Sequence, residues 1–186
     1  MMFLKAVATM FLGLSFILLV ALTSNGLVAQ QVDPVARGEY LVNTSGCHDC
    51  HTPWALGANG PEPDMSRALS GHPADLQVDA QPELSEAWVW AGNPTNTAYA
   101  GPWGVSFTAN LTPDPETGVL RDMSEAQFVD TIRNGRHKGQ GRPILPPMPW
   151  PAYRNMTDED LGAIYAYLKQ VPSIRNAVPE PLAPVQ

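Results

Sequence analysis

Two cysteines separated by two residues and followed at once by a histidine constrain this chain more than any other feature. Cys47 and Cys50 are the only cysteines among its 186 residues, and they lie in the segment Cys47-His48-Asp49-Cys50-His51. A C-x-x-C pair can form a redox-active disulfide, contribute to a zinc site or, when His follows, attach a haem covalently. The three possibilities require different surroundings, which the rest of the sequence can test.

The surroundings favour covalent haem attachment. A thioredoxin-like pair requires alternating strands and helices, but the segment before Cys47 has a helical pattern. A zinc site requires four ligands, and only His72 and His137 remain outside the motif. In C-x-x-C-H, both thiols reach one haem edge and the histidine binds the iron from one face. The sequence therefore predicts one haem c, attached through Cys47 and Cys50, with His51 as an iron ligand.

Met148 is the candidate for the second iron ligand. Electron carriers often use a methionine thioether, which raises the reduction potential. Met123 and Met156 precede predicted helix starts, and Met65 follows His51 too closely to reach the opposite face of the haem easily. Met148 lies in a proline-rich segment whose backbone has little freedom to lose on binding. The alternative is that Met148 only fills space in a surface loop.

The first 30 residues predict export from the cytoplasm. One positive charge, Lys5, precedes the apolar run Ala6–Leu22, and a small, polar segment follows it. This pattern is typical of a signal peptide, and an uncleaved N-terminal anchor is the alternative. We therefore expect a periplasmic or extracytoplasmic protein. Residues 31–178 then form one domain, and residues 179–186 form a Pro-rich tail.

The charge balance excludes some partners. Removing residues 1–30 deletes only Lys5, leaving 10 basic and 18 acidic residues and a net charge of −8. Such a surface repels nucleic acid and anionic lipid, and it favours a partner with a basic docking surface. We expect no nucleic-acid binding, and membrane contact only through an uncleaved N-terminal anchor.

Three helices can be predicted from caps and periodicity. The first begins at Asp33-Pro34 and runs to about Thr44, the second begins at Ser124 and ends at Asn134-Gly135, and the third runs from Thr157 to about Val171. Gly38 interrupts the first helix, which predicts close packing against Tyr165 or Tyr167 of the third. Because no strand pattern is convincing, the expected fold is all-α, with three main helices around one covalent haem.

Residues 54–121 form a long insertion between the haem motif and the second helix. It carries four of the five tryptophans, and such loops are uncommon unless functional. One hypothesis is that it packs as a second small core over the haem edge. The other is that it is a docking surface for a partner, with Trp88 and Trp90 at its centre.

Several further motifs resemble one protein family. The chain is similar to class I c-type cytochromes, and more closely to the haem domains of membrane-bound alcohol dehydrogenase cytochrome subunits. The segments that carry the resemblance are Tyr40-Leu41-Val42, Cys50-His51-Thr52-Pro53, Gly101-Pro102-Trp103-Gly104, Asn110-Leu111-Thr112-Pro113-Asp114, Thr117-Gly118, Pro146-Pro147-Met148-Pro149 and Asp160-Leu161.

The resemblance implies a class I cytochrome c fold with His51 and Met148 as the axial ligands of the iron. It also implies a Gly-Pro after the motif, whose proline carbonyl accepts a hydrogen bond from the histidine Nδ1. Gly60-Pro61 is the candidate, so Pro61 joins the expected haem-binding residues.

Three functions remain open. The chain can be an electron carrier between redox proteins, such as a dehydrogenase, a cytochrome complex or a terminal oxidase. It can instead be the haem subunit of a membrane-bound dehydrogenase or respiratory complex. An enzyme such as a peroxidase requires an open iron site, which Met148 would close. We therefore expect an electron-transfer protein without catalytic residues of its own.

Overall fold

A computed structural model describes residues 33–184. The predicted leader or anchor, residues 1–30, lies outside this range. None of the helices between residues 33 and 184 is long and apolar enough to cross a membrane. The helices of the described part are α1 (Pro34–Thr44), α2 (Cys47–His51), α3 (Glu125–Asn134), α4 (Trp150–Tyr153) and α5 (Asp158–Leu168). The strands are β1 (Trp54–Gly57), β2 (Gly60–Pro63), β3 (Ala91–Gly92), β4 (Ala98–Gly101) and β5 (Gly104–Phe107).

The three predicted main helices are confirmed as α1, α3 and α5, and their caps explain where they begin. Asp33 accepts a hydrogen bond from the Val35 amide at 3.1 Å. Ser124 and Gln127 form a reciprocal capping box, with bonds of 3.0 and 3.3 Å. Thr157 caps α5 through the Asp160 amide at 3.1 Å. Each cap satisfies a backbone amide that the first helical turn leaves without a partner.

Helices α1 and α5 cross at Gly38, as its position in the sequence predicted. A Cβ atom on Gly38 would lie 2.0 Å from the Ala163 carbonyl oxygen and 2.8 Å from Tyr167 Cβ. Beside this contact, Arg37 Nε donates to Asp160 Oδ1 at 2.8 Å. The main hydrophobic core lies between these helices and α3, and its buried side chains are Leu41, Val42, Leu69, Leu120, Met123, Phe128, Ile132, Leu161, Ile164 and Leu168.

The prediction of an all-α fold is wrong. The insertion contains two small antiparallel sheets, one formed by β1 and β2 and the other by β3, β4 and β5 in that order. The strands have only two to four residues, too few for a visible alternation. All four residues of β4 are buried, so that strand shows no polar face, whereas β1 is mostly exposed.

The insertion has a small core of its own, and its predicted position over the haem edge stays a prediction. Ala98, Ala100 and Val105 are buried together, and Val78, Phe107 and Leu182 pack against them. Leu182 belongs to the predicted Pro-rich tail, and its backbone exchanges hydrogen bonds of 2.9 and 3.0 Å with Val105. The described part of the tail therefore extends the second sheet by one bridge.

We expect Gly38→Ala to destabilise the protein, because the added methyl group would meet the Ala163 backbone, which cannot rotate away. Overpacking of this kind removes about 1–3 kcal/mol from the free energy of unfolding, which corresponds to roughly 2–4 °C in Tm per kcal/mol. Thermal unfolding of the haem-loaded protein, followed by circular dichroism, measures this.

Gly162→Ala is the matched control for this substitution. Gly162 also lies within α5, but its added Cβ would meet only the end of the Glu125 side chain, at 2.7 Å, and that side chain can move. The control should be neutral or stabilising, because Ala favours helix over Gly by about 1 kcal/mol. Equal Tm values for the two variants would contradict the close contact at Gly38.

Candidate functional site

The five residues of the cysteine motif form the one-turn helix α2. Gly46 precedes it with φ +77°, a left-handed conformation that allows the chain to reverse sharply after α1. In a helix, residues at positions i, i+3 and i+4 lie on the same face. The fold therefore brings Cys47, Cys50 and His51 together on one side of a single turn.

Both cysteines are free thiols and are partly buried. Burial raises the pKa of Cys47 to about 11, with smaller contributions from Cys50 and Asp49, and burial also raises the pKa of Cys50. Redox-active C-x-x-C pairs instead have a lowered thiol pKa. The described residues contain no cluster of three or more His, Cys, Asp or Glu side chains that could hold a metal ion. The raised pKa of both thiols is therefore unlike that of a redox-active C-x-x-C pair.

Tyr99 of β4 connects the insertion to the motif. Its hydroxyl group lies 3.1 Å from Cys50 Sγ and donates a hydrogen bond to the Asn96 carbonyl at 2.7 Å. The Asn96 side-chain amide in turn donates to the Asp49 carbonyl at 2.7 Å. The second sheet is thus held directly against the turn that carries the thiols.

His51 is oriented by a backbone carbonyl that the sequence did not reveal. Its Nδ1 lies 2.8 Å from the Ala109 carbonyl oxygen. Since a carbonyl only accepts, Nδ1 carries the proton and Nε2 keeps its lone pair. Burial lowers the pKa of His51, which favours the neutral ring. A neutral imidazole with a free Nε2 is the form that binds a metal.

The prediction that Pro61 supplies this acceptor is wrong. Pro61 lies on the exposed strand β2, where it is paired with Leu56 across a hairpin. Ala109 is 58 residues beyond His51 in the sequence. A carbonyl acceptor has no side-chain signature, so only the fold identifies it. The nearest sequence signal was the segment Asn110–Asp114, which follows Ala109 directly.

Gly71 allows the Ala109 carbonyl to come this close to His51. The Gly71 amide donates to the His51 carbonyl at 2.8 Å. Gly71 has φ +77°, and a Cβ atom there would lie 2.5 Å from the Thr108 oxygen and 2.7 Å from the Ala109 oxygen. Any larger residue would therefore press on the carbonyl that orients His51.

Asn110 fixes the other side of Ala109. Its side chain is buried and accepts from the Thr112 amide at 3.0 Å and from the Thr112 hydroxyl at 2.7 Å. Its amide group donates to the Ile174 carbonyl at 2.8 Å. Asp114 accepts from the Thr117 amide at 2.7 Å. The segment Asn110–Gly118 is thus a loop closed on itself and tied to the chain after α5.

The Met148 loop lies near the motif and is held at several points. Met148 and Cys47 are both partly buried against the main core. Ser106, which pairs with Tyr99 across β4 and β5, donates to the Pro146 carbonyl at 2.6 Å. After the loop, the Tyr153 hydroxyl donates to the Ser45 carbonyl at 2.5 Å. The β4–β5 hairpin therefore contacts both the thiol turn and the methionine loop.

An open groove of about 440 Å³ runs along this loop, and apolar residues line it. Its lining residues are Ile144, Pro146, Pro147, Met148, Pro149, Trp150, Pro151 and Ala152. Such a surface suits an apolar group better than a charged one.

The remaining histidine and methionine candidates lie in other environments. His72 is buried with both ring nitrogens hydrogen-bonded, at 2.9 Å to Thr97 Oγ1 and at 3.0 Å to the Leu76 carbonyl. Met123 is buried in the main core and Met156 packs against it, whereas Met65 is 59% exposed. We therefore assign no functional role to His72 or to these three methionines.

The donor set fits a covalently attached haem. Two thiols and an imidazole share one face of one turn, and Met148 packs against the same core as Cys47. Two buried hydroxyl groups next to this region, Ser70 Oγ and Thr108 Oγ1, have no hydrogen-bond partner among residues 33–184. A bound group with polar substituents would provide partners for such atoms.

Comparisons with known proteins agree with this chemistry. The sequence profile of the cytochrome c family matches residues 35–172. A nicotinate dehydrogenase subunit of Pseudomonas putida is 38% identical over 106 residues, covering 55% of this chain and 9% of that protein. The cytochrome c subunit of alcohol dehydrogenase (quinone) of Gluconobacter oxydans is 29% identical over 151 residues, covering 80% of this chain and 24% of that protein. The gluconate 2-dehydrogenase cytochrome c subunit of Pantoea cypripedii is 31% identical over 133 residues, covering 72% of this chain and 22% of that protein.

The chain thus spans less than a quarter of the length of each of these relatives. The family match nevertheless covers most of the chain and includes the C-x-x-C-H motif at Cys47 to His51. Haem c is accordingly its cofactor. The chain belongs to the cytochrome c family.

Proposed function

We propose that this protein is a single-haem electron carrier in which Cys47 and Cys50 hold the haem and His51 and Met148 bind its iron. The observation that carries the proposal is the face formed by Cys47, Cys50 and His51, with His51 Nδ1 bonded to the Ala109 carbonyl. When bound, the haem supplies an iron that alternates between ferric and ferrous states and so carries one electron at a time.

The chain's own groups prepare this site. The bond to Ala109 fixes the plane of the His51 ring and makes Nε2 a stronger donor to the iron. Gly71 packs closely against that carbonyl, and the bond from Asn110 to Ile174 holds the residue that follows Ala109. The site is therefore rigid, and little rearrangement accompanies a change in the charge of the iron.

Met148 is proposed as the second ligand because of the loop that presents it. The prolines around it restrict the backbone, and Ser106 and Tyr153 hold the segments before and after it. A thioether favours the ferrous state and raises the potential. If His51 and Met148 both bound the iron, they would leave it no free site for a substrate, so we propose a carrier rather than an enzyme.

A second candidate function is that of a haem-bearing subunit in a dehydrogenase complex. Two of the relatives are named as cytochrome c subunits of dehydrogenases, and they align with 72% and 80% of this chain. Copurification of the native protein with a dehydrogenase polypeptide would favour this candidate, whereas a monomeric native protein would favour the free carrier.

The proposed compartment is extracytoplasmic, on the basis of the N-terminal sequence pattern. The proposed partners are redox proteins with basic docking surfaces, since acidic residues outnumber basic ones by 18 to 11.

We expect Met148→Ala to lower the reduction potential by roughly 100 mV or more, within the roughly 0.8 V over which axial ligands tune haem potentials. The opened iron should then bind cyanide, and the far-red absorption of methionine-bound ferric haem should vanish. Met65→Ala is the matched control, because Met65 is 59% exposed. An unchanged spectrum in Met148→Ala would show that another residue is the ligand.

We expect Gly71→Ala to raise the reduction potential. The new methyl group would displace the Ala109 carbonyl and weaken its bond to His51, and a weaker histidine donor stabilises the ferric state less. A loss of about 1 kcal/mol corresponds to roughly 40 mV for one electron, since tenfold in the equilibrium is about 59 mV. Voltammetry of the folded protein measures the shift.

Gly60→Ala controls for backbone strain in this experiment. Gly60 also has a positive φ, +117°, but an added Cβ would have no atom within 4 Å. The reduction potential of the Gly60→Ala variant should equal that of the unaltered protein. Equal potentials in Gly71→Ala, Gly60→Ala and the unaltered protein would contradict the role assigned to Gly71.

A further inference from the structure

Three consecutive large apolar residues are exposed in the insertion. Trp88, Val89 and Trp90 have exposed fractions of 67%, 72% and 44%; we call them the tryptophan surface. Contiguous exposed apolar groups of this kind mark interaction sites more often than isolated ones do. Tryptophan is also the residue type most enriched at the energetic centres of protein interfaces. The packing of the second core does not account for their exposure.

The tryptophan surface is close to the cysteine motif. The Trp90 ring meets the Tyr99 ring edge-on, with centroids 5.7 Å apart. Tyr99 is buried, and its hydroxyl group lies 3.1 Å from Cys50 Sγ. One side chain therefore separates an exposed indole from the sulfur that attaches the haem.

The charged residues that neighbour the tryptophan surface along the chain have one sign. Residues 68–120 contain no Lys or Arg. Four exposed carboxylates, those of Asp75, Asp79, Glu83 and Glu86, lie in the segment that leads to Trp88, and none forms an ion pair with another residue between 33 and 184. An approaching basic surface would be attracted, whereas an anionic lipid surface or a second copy of this segment would be repelled.

We propose that the tryptophan surface docks a redox protein whose contact face is rich in Lys and Arg around an apolar centre. The indoles supply the apolar contact and the carboxylates attract the partner. The partner's redox centre then exchanges one electron with the haem at its Cys50 side. This inference rests on the proposed electron-carrier function and adds the location and chemistry of the docking site.

Binding to a basic redox protein tests the apolar part of the proposal. Purified haem-loaded protein is titrated with a lysine-rich mitochondrial cytochrome c, by calorimetry at low ionic strength. Trp88→Ala and Trp90→Ala should each raise the Kd about tenfold or more, as residues at interface centres do. Trp90→Phe retains an aromatic ring against Tyr99 and should recover most of the affinity.

Leu56→Ala is the matched control for an exposed apolar residue. Leu56 is 86% exposed and lies in the other sheet, on β1. Its loss should leave the Kd unchanged. Equal effects of Leu56→Ala and the tryptophan variants would overturn the proposal, as would failure of the unaltered protein to bind the probe.

The carboxylates are tested by kinetics. In stopped-flow electron exchange with the same probe, Glu83→Gln combined with Glu86→Gln should slow association several-fold and weaken its dependence on salt. Asp158→Asn is the control, because Asp158 is also exposed but lies at the start of α5 and pairs with Arg133. An unchanged salt dependence in the double variant would overturn the assigned role of the charges.

Failure of this proposal can be distinguished from failure of the proposed function. The visible spectrum and potential are measured for every variant. Normal haem redox chemistry with unaltered binding in the tryptophan variants overturns the docking site alone. A dimer of the free protein that Trp88→Ala dissociates would assign the surface to a second copy, and this too would overturn the proposal.

Discussion

The hydrogen bond from His51 Nδ1 to the Ala109 carbonyl joins the helix of the cysteine motif to the long insertion. His51 belongs to the one-turn helix that carries both thiols, and Ala109 belongs to the long insertion. This bond sets the tautomer of the ring and leaves Nε2 as the only nitrogen with a free lone pair. The insertion thus supplies the acceptor that orients the imidazole.

The sequence was most informative where a single side chain has a local role. Ser124 and Thr157 are helix caps whose oxygens bond to amides a few residues away, so their positions predict where helices begin. Gly38 was predictable because glycine inside a helix requires a reason, and the backbone of α5 provides it. The spacing of Cys47, Cys50 and His51 reflects one helical turn and needed no knowledge of the fold.

The sequence was uninformative where distant backbone groups meet. The four residues of β4 are all buried, so no alternation marked this strand, and the prediction of an all-α fold failed there. The Ala109 carbonyl could not be identified because every residue carries one, and Pro61 was inferred from the family resemblance. Gly71 became interpretable only after the fold had placed it against Ala109. The role of Met148 remains a proposal, supported by its loop and its neighbours.

Every role assigned to these residues depends on one haem bonded covalently to Cys47 and Cys50. Extraction of the purified protein with acid and acetone, followed by a pyridine haemochrome spectrum and an intact mass, tests it most directly. We expect the colour to stay with the polypeptide, the spectrum to be that of haem c, and the mass to exceed the polypeptide mass by one haem. Colour that passes entirely into the acetone, leaving a chain with the mass of the polypeptide alone, would contradict it.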